Sequence, residues 1–154
     1  MTVNFVFLIS RQGKTRVQQW YVHYPQKEKQ KIIREVTSLV LARPAKMCNF
    51  LEYRGQKVVY KRYASLFFIF GVDSQDNELF ILELIHHYVE VLDRYFGNVC
   101  ELDLIFNFYK AYYALNELLL AGEVQETSRK LILQAMASQE LVELQESEGQ
   151  SVEL

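Results

Sequence analysis

The stretch Leu66-Phe67-Phe68-Ile69-Phe70 is apolar at every position. A strand that is apolar on both faces is covered on both sides, whereas a strand with one wet face alternates apolar and polar residues. Residues 3–10 form a second, nearly continuous apolar run. We therefore predict a sheet whose central strands are covered by helices on both faces.

Further strands are predicted on either side of these two runs. Residues 49–53, 57–62 and 66–72 are β-rich and separated by short turns, which predicts a meander of three antiparallel strands. Residues 3–10 and 15–23 predict a hairpin that turns at Gly13. The sequence thus predicts an α+β fold with a five-stranded antiparallel sheet.

Two amphipathic helices are predicted from apolar residues at helical spacing, which include Leu39 in the first helix and Leu79 in the second. The first follows Pro25 and ends before Pro44. The second is capped by residue 76 or 77 and ends near residue 96, where a glycine follows. They supply the cover that the sheet needs.

A third helix is predicted over residues 102–120, in which 14 of 19 positions are apolar or aromatic. A helix that is apolar nearly all round requires burial on more than one side, so part of its surface is expected to meet a partner. A last helix is predicted over residues 127–138. Residues 139–154 contain five Glu and no Lys or Arg, and we expect a flexible acidic tail there. The predicted domain is therefore 1–138.

Composition and charge narrow the function classes. The chain has 154 residues, 50% of them hydrophobic, which suits one globular domain. Residues 1–65 carry 13 basic and 3 acidic side chains, whereas residues 66–154 carry 4 and 16. The acidic part disfavours polyanion binding by the whole domain, and no nucleic-acid-binding motif is present. We expect a protein of the reducing cytosol, without a targeting or membrane-spanning segment.

The sequence offers no convincing catalytic or metal site. His86 and His87 are adjacent on a predicted helix and point about 100° apart, which suits one metal poorly. Cys100 with His86 is a conceivable nucleophile and base, but ordinary helix positions explain both better. No phosphate-binding loop or hydrolase motif occurs. We predict a binding module without cofactor or metal rather than an enzyme.

The chain contains five distinctive motifs: Ser10-Arg-Gln-Gly-Lys-Thr-Arg16, Trp20-Tyr21, Val58-Val-Tyr-Lys-Arg-Tyr-Ala-Ser-Leu66, Asp76-Asn-Glu-Leu79 and Asn98-Val-Cys-Glu-Leu-Asp-Leu-Ile-Phe-Asn-Phe108. Together they resemble the motifs of the small (sigma) subunits of clathrin adaptor complexes. The resemblance covers about nine-tenths of the chain. Within the family, Ser10-Arg-Gln-Gly, Lys46-Met-Cys48 and Tyr60-Lys-Arg-Tyr-Ala-Ser65 are most similar to the subunit of adaptor complex one.

The resemblance implies a longin-like fold and a heterotetramer with gamma-type and beta-type large subunits and a medium (mu) subunit. It implies a peripheral location on trans-Golgi network and endosome membranes and on clathrin-coated vesicles, with clathrin and membrane contacted through the complex. The implied role is vesicle-mediated protein transport, in which the subunit stabilises the core and binds acidic dileucine sorting signals, [DE]xxxL[LI], in cargo tails. The alternatives are the sigma subunit of the plasma-membrane endocytic adaptor, or another longin-like coat or tethering subunit.

The resemblance also implies which residues bind the dileucine signal. Arg16 would attract the acidic residue of the signal, and Asn98 would lie at the rim. The pockets for the two leucines would be formed by Ala64, Leu66, Val89, Val99, Leu102 and Leu104. Without the resemblance, the aliphatic residues among them would be read as ordinary core.

Overall fold

The computed structural model describes residues 3–44, 49–120 and 123–124, together with positions 137, 141 and 144. Its centre is an antiparallel sheet of five strands in the spatial order β2-β1-β5-β4-β3. The strands are β1 (Val3–Ser10), β2 (Thr15–Trp20), β3 (Phe50–Tyr53), β4 (Gln56–Tyr63) and β5 (Leu66–Asp73). The predicted α+β class, the hairpin and the three-stranded meander are confirmed.

Four helices are described around the sheet: α1 (Gln26–Ala42), α2 (Glu78–Phe96), α3 (Glu101–Phe106) and α4 (Phe108–Leu118). A small hairpin of β6 (Leu119–Leu120) and β7 (Glu123–Val124) follows α4. Asn77 caps α2 through its side-chain oxygen, and Gly97 ends it in the left-handed conformation, as predicted. Among the helices of the described residues, none combines the length and hydropathy needed to cross a bilayer.

The central strand β1 is buried at all eight positions, and its side chains alternate between two cores. Val6 and Leu8 belong to the core that also contains residues of α2 and α4. Phe5, Phe7 and Ile9 belong to the opposite core, which α1 covers. Each face of β1 is therefore covered by helices, which confirms the prediction.

The predicted single helix over residues 102–120 is wrong, because Asn107 divides it into α3 and α4. Asn107 has φ −133° and ψ 41°, outside the helical region, although its backbone N–H still donates to the Asp103 carbonyl at 2.8 Å. Asn side chains stabilise non-helical backbone locally, which favours such a break. The break lets Leu104 face the core while α4 packs separately against α2 and β2.

Two residues assigned to apolar helix faces lie outside the core. Leu79 is 76% exposed because it lies about 160° round α2 from the buried Ile81. Leu39 is 43% exposed, at the edge of the α1 face that buries Val36 and Val40. The predicted helix over 127–138, the acidic tail and the domain boundary at 138 fall largely outside the described residues.

Close packing between β1 and β5 predicts the effect of one substitution. Phe5 lies opposite Gly71, and a Cβ built on Gly71 would come within 2.3 Å of the Phe5 ring. That ring cannot easily move, because it stacks on Phe7 with ring centroids 4.5 Å apart. Gly71→Ala should therefore lower the free energy of unfolding of the purified chain by about 1–3 kcal/mol in denaturant titrations.

The control for this substitution is a second change at its neighbour. Adding Phe5→Leu to Gly71→Ala removes the ring that the new methyl group meets, so the double variant should lose less than the two single losses added together. Additive losses would contradict the proposed contact.

Candidate functional site

The predicted site residues lie at one end of the sheet, where two strand turns meet the end of α2 and the start of α3. The β1–β2 and β4–β5 turns are joined by the Arg11 N–H, which donates to the Ser65 carbonyl at 3.1 Å. The β4–β5 turn contains Ala64, and Asn98 lies between α2 and α3. Three segments that are distant in sequence, the two strand turns and the α2–α3 connection, thus form one surface.

Four of the predicted aliphatic residues share one buried core cluster: Leu66, Val89, Val99 and Leu104. None of the four is more than 4% exposed. They come from β5, α2, the α2–α3 connection and α3. The structure therefore buries four of the six predicted aliphatic residues in the same core, the one that also contains residues of α2 and α4.

The other predicted aliphatic residues are at the surface. Ala64 is exposed and has a φ of 54°, a left-handed conformation that few non-glycine residues adopt. Leu102 is 61% exposed and lies on the same side of α3 as Ile105 and Phe106, whereas Leu104 points into the core. Leu102 is thus separated from the buried cluster by the width of α3.

Asp93, near the end of α2, holds the turn region together. Its Oδ1 accepts hydrogen bonds from the Tyr63 hydroxyl at 2.8 Å and from the Val99 N–H at 3.0 Å. Its backbone carbonyl accepts from the Asn98 N–H at 3.0 Å. The hydrogen bond to Asp93 raises the pKa of Tyr63, which keeps that hydroxyl a donor. Asp93 therefore fixes the position of Tyr63, the residue before Ala64, relative to the Asn98–Val99 segment.

A sharp turn between α2 and α3 presents Asn98 to solvent. Gly97 and Asn98 both have positive φ, 65° and 71°, and Asn is among the residues that tolerate this conformation best. The new helix then starts at a reciprocal cap, in which the Cys100 N–H donates to Asp103 Oδ2 at 2.9 Å. The Asp103 N–H donates in turn to the Cys100 carbonyl at 3.2 Å.

Arg16, the cation of the predicted site, is held by an internal carboxylate. Its Nε and Nη2 both donate to Glu101 Oε1, at 2.8 and 2.6 Å. The two side chains are 24% and 25% exposed, so the pair is partly shielded from water. This ion pair ties the start of β2 to the first residue of α3.

Sequence reasoning missed three residues of this region: Tyr63, Asp93 and Glu101. Tyr63 and Asp93 are ordinary strand and helix residues until the fold brings them within hydrogen-bond distance. The start of α3 left only a weak sequence signal: Asp103 follows Cys100 by the three residues of a reciprocal helix cap, but that cap is usually made by Ser or Thr with Glu or Gln.

The residues considered for catalysis have structural partners. His86 pairs with Glu90 and His87 with Glu83, each one helical turn away, at 2.6 and 3.4 Å. Cys100 precedes the first residue of α3. Within the described ranges, no three His, Cys, Asp or Glu side chains are grouped so as to hold a metal ion.

An exposed apolar surface lies beside the site on α3 and α4. We call it the α3–α4 surface and define it by Leu102, Ile105, Phe106, Phe108 and Tyr109, which are 37–72% exposed. Large apolar side chains grouped in this way are typical of protein–protein contacts.

Comparisons with known proteins place the chain among adaptor subunits. Residues 2–143 match the family model described as "Clathrin adaptor complex small chain". The chain is 59% identical to "AP-1 complex subunit sigma-2" of Arabidopsis thaliana, over 97% of this chain and 93% of the relative. It is 55% identical to "AP-1 complex subunit sigma-1A" of Homo sapiens, over 97% of this chain and 95% of the relative.

Structural comparison agrees with the sequence comparisons. A chain of a homology model of the full-length AP-3 complex in a stretched open conformation superposes with a TM-score of 0.72 at 29% identity, covering 97% of this chain and 98% of that chain. The longin-like fold implied by the resemblance is consistent with this match, and the predicted family is confirmed.

The role of Asp93 can be tested by exchanging its carboxylate. Asp93→Ala removes the acceptor of Tyr63 and Val99 and should lower the free energy of unfolding by about 1.5–3 kcal/mol, since a charged acceptor is lost. The Val99 N–H should then exchange with deuterium faster than in the unchanged chain. Asp93→Asn retains an amide oxygen and is the matched control. If the Val99 N–H exchanged equally slowly in the Asp93→Ala variant and in the unchanged chain, the anchoring role of Asp93 would be refuted.

Proposed function

This chain belongs to the clathrin adaptor small-chain family, and we propose that it is the sigma subunit of an adaptor complex of the trans-Golgi network and endosomes. The family consists of coat components rather than enzymes, and the chain is a member of a heterotetramer with large and medium subunits. Its relatives named for AP-1 support a peripheral coat on endomembranes. The specific compartment and the gamma-type and beta-type identity of the large subunits are part of the proposal.

We further propose that this subunit binds acidic dileucine signals, [DE]xxxL[LI], in the cytosolic tails of membrane proteins. The observation that carries the proposal is the position of Arg16 at the same end of the sheet as the aliphatic cluster of Leu66, Val89, Val99 and Leu104. The acidic residue of the signal would meet the guanidinium. The two leucines would insert next to the cluster, between the β4–β5 turn at Ala64 and the α2–α3 turn at Asn98. Leu102 is exposed on the opposite side of α3 from Leu104 and lies outside this position.

The strength of such binding follows from the groups involved. Burial of two leucines contributes about 1.5–3 kcal/mol each, and a partly exposed charge pair contributes up to about 1 kcal/mol. Ordering the peptide costs part of this energy, so affinity is about micromolar at best. Stable attachment of a coat then requires several cargo tails together with membrane and clathrin contacts made by the rest of the complex.

We assign the α3–α4 surface to contact with a large subunit. Phe106 and Phe108 are 72% and 52% exposed in the single chain, and exposure of two aromatic rings to water is energetically unfavourable. Assembly would cover these rings, and this agrees with the expectation that the 102–120 segment needs burial on more than one side.

The first experiment identifies the assembled partners. Affinity purification of the tagged chain from cytosol should recover a gamma-type large chain, a beta-type large chain and a medium chain. Recovery of an alpha-type chain instead would identify the plasma-membrane adaptor, the main alternative. Recovery of the chain alone would contradict the proposed assembly.

A second experiment tests cargo recognition with the assembled complex. Arg16→Gln should weaken binding of a peptide that contains Glu four residues before Leu-Leu by about two- to fivefold, because one partly exposed charge pair is lost. Isothermal titration gives the affinity. Lys57→Gln is the matched control and should leave the affinity unchanged. Lys57 also pairs with a carboxylate, that of Glu78 at 2.8 Å, but this pair lies at the first turn of α2, away from Arg16.

Exposed residues are the better probes, because Val89 and Leu104 are core residues. Substitutions such as Val89→Asp or Leu104→Ser bury a polar group or leave a cavity and lower stability as well as binding.

The unchanged complex should lose binding when both leucines of the peptide are replaced by Ala. Equal binding of the two peptides would refute dileucine recognition.

A further inference from the structure

We propose that Glu101 is an internal competitor for Arg16 and thereby sets how strongly the site favours an acidic residue in the cargo signal. This inference rests on the proposed binding of dileucine signals. It starts from the ion pair, in which the guanidinium assigned to the cargo carboxylate already contacts a carboxylate of its own chain.

The geometry of the pair leaves little room for simple addition of a second carboxylate. Two nitrogens of Arg16, Nε and Nη2, converge on the single oxygen Oε1 of Glu101. These two nitrogens form the edge of the guanidinium that binds carboxylates side-on. A cargo carboxylate on the same edge would stand next to Glu101, and two like charges at that distance repel. Binding on this edge therefore requires that Glu101 turn away.

Glu101 can turn away without unfolding α3. Its side chain is 25% exposed, so rotation into water is available. The start of α3 is held independently by the reciprocal hydrogen bonds of Cys100 and Asp103. The exchange of one carboxylate for another is therefore a side-chain event, and the aliphatic cluster keeps its place.

Replacement of Glu101 by a cargo carboxylate on Arg16 affects how well the site distinguishes acidic from neutral signals more than it affects the total affinity. A signal with an acidic residue gains its pair with Arg16 but gives up the pair between Arg16 and Glu101, so its net electrostatic gain is smaller than an Arg16 without an internal partner would give. A signal without that residue leaves the internal pair intact and binds through its leucines alone. Glu101 thus reduces the difference in affinity between acidic and neutral signals.

The test compares two peptides on the assembled complex. The peptides differ only in Glu or Gln at the fourth position before Leu-Leu. Glu101→Gln should tighten binding of the Glu peptide by about two- to fivefold and leave binding of the Gln peptide unchanged. Glu78→Gln is the matched control, because Glu78 pairs with Lys57 at similar exposure away from Arg16, and it should change neither affinity.

A third variant separates competition from a general effect of removing negative charge. In the Arg16→Gln background, Glu101→Gln should no longer favour the Glu peptide, since the contested cation is absent. Retention of the gain there, an equal gain for both peptides, or no gain for either would overturn the inference. Failure of the unchanged complex to bind either peptide would instead refute the proposed function, so the two failures are distinguishable.

Discussion

The pairing of β1 with β5 is the constraint on which the rest of the molecule depends. Both strands are buried along nearly their whole length, and only the final Asp73 of β5 is exposed. Their register places Phe5 over Gly71, so the pair comes close only because residue 71 lacks a side chain. Two strands buried on both faces must have cover on both faces, and this requires α1 on one side and α2 with α4 on the other.

The strands were predictable because their apolar runs and turns are local signals. The cap at Asn77 and the left-handed Gly97 were predictable for the same reason, since both act within a few residues of the chain. The break at Asn107 was missed because periodic apolarity continues through it, and one Asn is weak evidence against 14 apolar neighbours. The exposure of Leu79 was missed because a helical pattern fixes spacing but not which face meets the sheet.

The candidate site was predictable only in part, because it is assembled by the fold and not by a continuous motif. Family resemblance supplied Arg16, Asn98 and the aliphatic residues, and the fold gathers four of the latter in one cluster. Asp93 and Glu101 could not be found in this way, since each acquires its role from a partner 30 and 85 residues away in sequence, Tyr63 and Arg16. Long-range polar partners leave no periodic signal, whereas apolar positions do.

The opposite charges of the two parts of the chain are used inside the molecule. Arg16 and Lys57, from the basic strands, pair with Glu101 and Glu78, from the acidic helices, at 2.6 and 2.8 Å. Pairing of this kind lowers the pKa of Glu78, first through its hydrogen bond to Lys57. When a ligand binds, a cation that is already paired contributes only the difference in free energy between its new ion pair and the one that it gives up. Apolar contact with the leucines must therefore supply most of the affinity at this end of the sheet, and the charges contribute the smaller part that distinguishes acidic from neutral signals.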